Sequence, residues 1–287
     1  MKPIVKYQGG KTRELPLIKT LLPQNYDTVL EPFAGGAAVS FALGHRCILN
    51  DMNDALINMY QQVSHPTTFH EVFSHVNWLK TLEHDDLSVE YYKARDYING
   101  GSRDPYTWAI SYITVRQLCF SGMERYNAKG KFNVPFGHYK KFSCNLDWNH
   151  MKFLHQSGSS IYHGDFAPIF DMATEDDFIF IDPPYLDRLG YAHGNDTLHE
   201  RLVSCMHNTK AKWLFIHSDN DFYRDALSEY HIFYKQFGYA QRFGKNKNHD
   251  NAQVSHMYVT NYEDSMTLHR VNNASLQTLL EPDTIEA

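Results

Sequence analysis

Asp182, Pro183, Pro184 and Tyr185 set an acid, two imino acids and a phenol at the end of an apolar run, Phe178-Ile179-Phe180-Ile181. The run reads as a strand buried on both faces, as in a parallel sheet. Both prolines lack an N–H and fix φ, so the chain must leave the sheet there. Ligands of open α/β sheets bind beyond the carboxyl ends of strands, which is where Asp182 and Tyr185 fall. Taken alone, the same residues also fit a helix cap and a simple strand stop.

Three further groups could carry chemistry. Lys6-Tyr7-Gln8-Gly9-Gly10-Lys11-Thr12 is a glycine-rich loop ahead of an expected helix, Arg13–Leu22. Its end looks like that of a P-loop, but Val5 stands where the first glycine belongs and no strand precedes it, which excludes that motif. A simple turn and a backbone approach to an anionic group both stay open. Glu31-Pro32-Phe33-Ala34-Gly35-Gly36-Ala37 joins an expected strand, Thr28–Leu30, to an expected helix, Ala38–Leu43. That is the opening of a nucleotide-binding βαβ unit without the third glycine of the dinucleotide fingerprint. Asp51 follows a second strand, Cys47–Leu49, and is placed either to accept from a ribose or to cap the next helix; Asn53 or Asp54 can fill the capping role.

The elements that must position these groups follow two patterns. Strands and helices alternate up to a helix over Ala55–Ser64, then from about residue 65 to 158 amphipathic helices take over, near Thr67–Thr81, Ser88–Ile98 and Pro105–Cys119. Asp104 and Pro105 make a clean start for the last of these, and Trp108, Tyr112, Val115 and Cys119 form a stripe read as core. Asn127–Gly130 is a hairpin turn between two short strands. Strands resume at Ser160–Tyr162, before Asp182, and at Lys212–His217, and a helix is expected over Asp221–Ser228. Ile232–Phe237 and Val254–Tyr262 close the sheet. Polar loops are expected over 187–196 and 242–251, and a flexible tail over 263–287 with a short helix near Leu276.

The net charge of -6 argues against nucleic acid as a whole. It is unevenly spread, however. The tail carries much of the negative charge, and the segment from Glu124 to Lys141 is basic through Arg125, Lys129, Lys131, Lys140 and Lys141. A local patch of this kind can meet phosphates. Four dispersed cysteines suit free thiols in a reducing compartment. No apolar run is long enough for a membrane span, and the histidines show no metal-ligand spacing, so neither a membrane nor a metal is expected.

The order of these marks carries a resemblance. A Gly-Gly-Lys loop, Glu-Pro-Phe-Ala-Gly-Gly, the strand-end Asp51, a helical insertion with Arg125-Tyr126-Asn127 and Phe132-Asn133-Val134-Pro135-Phe136-Gly137, and then Asp-Pro-Pro-Tyr together resemble the Dam-type DNA adenine methyltransferases over about residues 4 to 262. The resemblance implies an α/β, Rossmann-like methyltransferase sheet, mostly parallel with an antiparallel final strand, and an inserted, mainly helical recognition subdomain bearing a β-hairpin. It divides the chain into a catalytic domain at 1–64 and 159–262, a DNA-recognition subdomain at 65–158 and the tail. It implies transfer of a methyl group from S-adenosylmethionine to the N6 of adenine in double-stranded DNA, within GATC, on a flipped-out base. Asp182, Pro183, Pro184 and Tyr185 become catalytic. Tyr7, Gly10, Lys11, Glu31, Pro32, Phe33, Gly35, Asp51, Asp165 and Asp182 become cofactor-binding. Lys6, Arg95, Phe120, Ser121, Met123, Arg125, Asn133, Pro135 and Tyr139 become DNA-binding. Many relatives carry Tyr-Asn where this chain has Phe120-Ser121. A cytoplasmic monomer or weak dimer, bacterial or phage-encoded, is expected, with solitary and restriction-modification roles both open. The competing readings are a non-catalytic, sequence-specific DNA-binding protein on the same scaffold, methylation of a different adenine site, and methylation of RNA or of a protein glutamine.

Overall fold

The computed structural model describes residues 1–156, 158–185, 196–239 and 252–263. In chain order its elements are α1 (Leu15–Thr20), β1 (Val29–Glu31), α2 (Ala38–Leu43), β2 (Cys47–Asp51), α3 (Asp54–Ser64), α4 (Pro66–Leu79), α5 (His84–Gly100), α6 (Pro105–Leu118), α7 (Trp148–His155), β3 (Ser160–His163), α8 (Ala167–Met172), β4 (Phe178–Ile181), α9 (Asp196–Asn208), β5 (Lys212–Ser218), α10 (Asp221–Ala226), β6 (His231–Tyr239) and β7 (Ala252–Thr260). Single 3-10 turns lie at Lys11–Arg13 and Phe120–Gly122. The helix expected over Arg13–Leu22 is therefore a 3-10 turn followed by a short α-helix. Of the two expected polar loops, residues 187–195 and 242–251 lie outside the described residues, as does the tail beyond Glu263 with its helix near Leu276.

The chain forms two compact units, Met1–Leu15 with Phe33–Phe166, and Pro16–Pro32 with Ala167–Ala287. In the first, β2 and β3 pair in parallel with Ile48 opposite Ser160 and Asp51 opposite His163. One apolar core runs from Ile4 and Phe41 through Leu56, Tyr60 and Val63 to Tyr91, Ile113, Leu118 and Phe136. The inserted helices share a core with α2 and α3. Helix starts follow local chemistry. Asn53 Oδ1 accepts from Leu56 N at 3.0 Å, Asp104 Oδ2 accepts from Thr107 N at 2.9 Å, and Asp147 and His150 form a capping box on α7. The stripe Trp108, Tyr112, Val115 and Cys119 is buried as expected, but Ser111, Thr114, Arg116 and Gln117 are buried too. In this part α6 is enclosed on nearly every side.

The Asn127–Gly130 turn forms: Gly130 N–H donates to Asn127 O, and Asn127 N–H to Lys131 O, both at 2.9 Å. Its two flanking strands do not. They shrink to isolated bridges, Tyr126 with Phe132 and Cys119 with Phe136. The backbone still pairs the two segments, with Asn133 N–H donating to Arg125 O at 3.1 Å, and α5 holds the outer edge of the second one. Asn99 exchanges two hydrogen bonds with the Phe132 backbone, at 2.8 and 3.0 Å, and Tyr91 Oη donates to Val134 O at 2.7 Å. Phe132, Val134 and Phe136 alternate into the core, leaving Asn133 and Pro135 on the other side.

In the second unit the strands run β1-β4-β5-β7-β6. β1, β4 and β5 are parallel, and β7 and β6 are antiparallel additions at the edge. All four β4 residues are buried, as a central parallel strand requires. With seven strands among the described residues, mostly parallel and ending antiparallel, the architecture is a mixed α/β, Rossmann-like one. Three helices were not anticipated: α7, α8 and α9. In α9 the buried positions His199, Leu202 and Met206 have helical spacing, but a histidine in the apolar stripe hides the period. Among the described residues no helix is long and apolar enough to cross a membrane, and no three His, Cys, Asp or Glu side chains cluster as metal ligands.

Candidate active site

In the first unit the glycine-rich segments converge on Tyr7. Tyr7-Gln8-Gly9-Gly10 is a four-residue turn closed by Gly10 N–H donating to Tyr7 O at 3.2 Å, with Gly9 at φ +80° where the turn needs positive φ. A turn was one of the two readings of this loop. Lys11 is buried and its Nζ donates to Gly9 O at 2.9 Å. The second loop is tied down at three points. Gly35 N–H donates to Asp51 Oδ2 at 2.8 Å, Tyr60 Oη donates to Gly35 O at 2.8 Å, and Ala34 N–H donates to Asn50 O at 2.8 Å.

Gly35 has φ +47°, and a Cβ there would lie 2.9 Å from Tyr7 Cε1; at Gly36 it would lie 3.2 Å from Tyr7 Cβ. Tyr7 itself fills the space the two glycines leave. Burial, followed by the nearby charges of Asp51 and Glu124, pushes the Tyr7 phenol far above its ordinary pKa, so it stays a neutral donor.

Asp51 does not act as the cap of α3; Asn53 does. Its two oxygens nevertheless each hold a backbone N–H, Oδ2 from Gly35 and Oδ1 from Asn53 at 2.9 Å. Each carboxylate oxygen has a second acceptor site, so the group can still receive a hydroxyl. Burial raises the Asp51 pKa and those two N–H bonds oppose the rise. Asp165 is exposed just past β3, where Asn50 Nδ2 donates to the neighbouring Gly164 O at 3.0 Å. Phe33 packs on Phe166 with ring centroids 5.1 Å apart.

The residues expected to read DNA all lie in this unit as well. Lys6 Nζ donates to Gln117 O at 2.9 Å and stands 3.9 Å over the Tyr139 ring. Phe120 N–H donates to Pro135 O at 2.9 Å. Arg125 Nε donates to Asn133 Oδ1 at 2.8 Å and its Nη2 to Asn133 O at 3.1 Å, which aims the guanidinium. Ser121 is exposed with φ +54°, a conformation that asparagine or glycine adopts more readily. Met123 is half-buried. Arg95, on α5, lies over the Tyr92 ring at 4.6 Å. A cavity of about 360 Å³ opens beside Lys6, Tyr7, Gly10, Gly36, Gln117 and Asn145.

In the second unit β4 ends and Asp182 stands half-buried, with Pro183 buried and Pro184 exposed. Glu31 and Pro32, both buried, end β1 in the same unit. Tyr185 is seated against two histidines. Its ring centroid lies 4.8 Å from that of His217 on β5 and 5.7 Å from that of His256 on β7, and its hydroxyl is 3.5 Å from His256 Nε2. Both histidines are buried. Sequence reading passed over them, although each sits among strand residues where a polar side chain is a signal.

The description of D12 class N6 adenine-specific DNA methyltransferases matches residues 7–241. The chain belongs to that family. It is 32% identical over 273 residues to a type II methyltransferase, M.CviBI, of Paramecium bursaria Chlorella virus NC1A, spanning 91% of this chain and 100% of that protein. It is 30% identical over 283 residues to the type II methyltransferase M1.LlaDCHI of Lactococcus lactis subsp. cremoris, spanning 91% and 96%. The DNA adenine methylase of Escherichia coli K12 is 32% identical over 186 residues, or 64% of this chain and 65% of that one. The protein is therefore an adenine-specific DNA methyltransferase, and its reaction needs DNA and a methyl donor.

Proposed function

We propose that the enzyme transfers a methyl group from S-adenosylmethionine to the N6 of adenine in double-stranded DNA, within GATC, on a base turned out of the helix. The observation that carries this reading is the Asp182-Pro183-Pro184-Tyr185 run directly after the fully buried β4, with Tyr185 seated on His217 and His256. The lone pair of an adenine amino group is delocalised into the ring and is a poor nucleophile. The Asp182 carboxylate and the Pro183 carbonyl each accept a hydrogen bond from one of its two N–H groups, which favours a pyramidal nitrogen with a free lone pair. Asp182 also offsets the positive charge that grows on that nitrogen, and Tyr185 supplies a face for the base to stack on. Such a base cannot be reached inside a duplex, which is why it must flip, at a cost of a few kcal/mol.

The resemblance assigns the first unit's loops to the donor, and in the second unit Glu31, Pro32 and Asp182. Tyr7, Gly10, Lys11, Phe33 and Gly35 line its methionine side, Asp51 accepts from the ribose and Asp165 from the adenine amino group. The donor set fits, since Asp51 keeps acceptor sites free beyond its two backbone bonds. S-adenosylmethionine supplies an electrophilic sulfonium methyl. Lys6, Phe120, Ser121, Met123, Arg125, Asn133, Pro135 and Tyr139 form the DNA-reading surface, with Arg125 on a guanine and Arg95 on a phosphate.

The test is to produce the enzyme in a host that lacks adenine methylation and to map modified adenines across its genome. N6-methyladenine confined to GATC is the expected result, and its loss in Asp182→Ala with duplex binding retained supports the assigned role. Methylation at another sequence overturns the site, and an active Asp182→Ala overturns the mechanism.

A further inference from the structure

Arg116 is the feature that the family's activity does not explain. It lies in α6, in the run Ile113-Thr114-Val115-Arg116-Gln117-Leu118, and is 1% exposed. A buried guanidinium is costly, and an apolar side chain would fill its place without that cost. Its N–H groups go to two separate loops. Nε and Nη2 donate to Lys6 O at 3.1 and 2.9 Å. Nη1 donates to Met123 O at 3.2 Å and Nη2 to Gly122 O at 3.1 Å. The guanidinium carbon also lies 5.5 Å from the centre of the Tyr7 ring.

Glu124 completes the arrangement. Its Oε2 is 3.3 Å from Arg116 Nη1. Its Oε1 accepts from Asn53 Nδ2 at 3.2 Å and from Tyr126 Oη at 2.8 Å, and its N–H meets Gln8 Oε1 at 3.4 Å. Asn53 N–H in turn donates to Asp51 Oδ1. Glu124 thus reaches the Asp51–Asn53 strand end through its carboxylate and Gln8 through its backbone N–H, while Arg116, which the carboxylate pairs with, holds Lys6 O; its own chain position is next to Arg125.

We propose that Arg116 and Glu124 are positioning residues that hold the donor loop and the base-reading segment in a single arrangement, so that donor affinity and sequence choice depend on the same ion pair. The inference rests on the functional reading above, in which Tyr7 and Asp51 hold S-adenosylmethionine and Arg125 reads a guanine. It also gives the buried charge a purpose. Backbone carbonyls of two loops that would otherwise move separately are gathered by one planar fork.

The experiment uses the full-length enzyme and Glu124→Ala. S-adenosylmethionine affinity is measured without DNA by calorimetry. Discrimination is measured as the ratio of kcat/KM on a cognate duplex to that on a duplex with one guanine replaced. Both are expected to fall together by about tenfold, the scale of an ordinary coupling between sites. Glu124→Gln keeps an acceptor for Asn53 and Tyr126 but loses the charge, and should recover part of each. If Glu124→Ala does not fold, Glu124→Gln carries the test, with both quantities expected between wild type and complete loss. A fall in melting temperature with donor affinity and discrimination unchanged overturns the proposal, and so does a change in only one of them. A wild-type enzyme that binds no S-adenosylmethionine, or does not distinguish the two duplexes, refutes the functional reading instead.

Discussion

Gly35→Ala should damage the enzyme in a way that an alanine at another positive-φ glycine does not. Gly35 has φ +47° and Gly44 has φ +74°, so alanine at either position takes on left-handed strain of about 1–2 kcal/mol. At Gly44, which ends α2, a Cβ meets nothing within 4 Å. At Gly35 it meets Tyr7 Cε1 at 2.9 Å and Cδ1 at 3.0 Å. Those are ring atoms held in a buried setting, so the ring or the loop must shift, adding about 1–3 kcal/mol of overpacking. The gain from stiffening the unfolded chain is common to both substitutions and cancels in the comparison. Gly35→Ala is therefore expected to be the less stable by about 1–3 kcal/mol, with about 2–4 °C in Tm for each kcal/mol in a chain of this size. The assay is denaturant and thermal unfolding of both variants beside wild type, with S-adenosylmethionine titration. Donor affinity should fall for Gly35→Ala, because the shift disturbs Tyr7 and the Gly35 N–H bond to Asp51, and should hold for Gly44→Ala. Equal stability losses, with donor affinity intact at Gly35, would refute the claim that Tyr7 is what the glycine accommodates.

Two other perturbations have defined outcomes. Asp147 caps α7, and its pKa lies below the ordinary value: its partial burial pushes upward, but the His150 hydrogen bond and charge and the N–H groups of His150 and Asn149 outweigh it. A lowered acid pKa means stability that is present above the unfolded value and lost as pH falls through the folded one. Asp147→Ala should cost about 0.5–2 kcal/mol at neutral pH, and the gap from wild type should narrow below about pH 4 in acid unfolding curves; a gap that does not change with pH would mean the cap is not ionic. Arg125→Lys keeps the charge but loses the fork that Asn133 aims, so discrimination at one guanine should fall by about 1–3 kcal/mol while salt dependence changes little. Competition between duplexes differing at that base measures it, and an unchanged preference would remove Arg125 from base reading.

Much of the site's raw material was legible without coordinates because it is local. A four-residue apolar strand stopped by two prolines announces itself within the motif, and so do the caps at Asn53 and Asp104, each set by a side chain reaching a backbone N–H three residues on. The order of motifs was enough to suggest the family. The hairpin turn was also visible, since Asn127 and Gly130 satisfy it by themselves.

What tertiary structure decided depends on residues far apart in the chain. The outer edge of the Phe132–Phe136 segment is held by Asn99 and Tyr91 on α5, which no local pattern reveals. The reason for glycine at position 35 is a tyrosine 28 positions earlier whose ring occupies the missing Cβ's place. Asp51 looked free for a ligand once Asn53 had taken the cap, yet both its oxygens already hold backbone N–H groups, one of them from the glycine loop. Arg116 carried no signal in the sequence, and only the enclosure of α6 shows it spending its donors on Lys6, Gly122 and Met123. Hydrogen-bond propensity, φ preference and apolar period are properties of a few neighbouring residues, so sequence alone could determine the elements and the reactive motif. Which donor meets which acceptor across a folded core is set by packing, and here packing is what brings the Lys6 and Gly122–Met123 carbonyls onto one guanidinium.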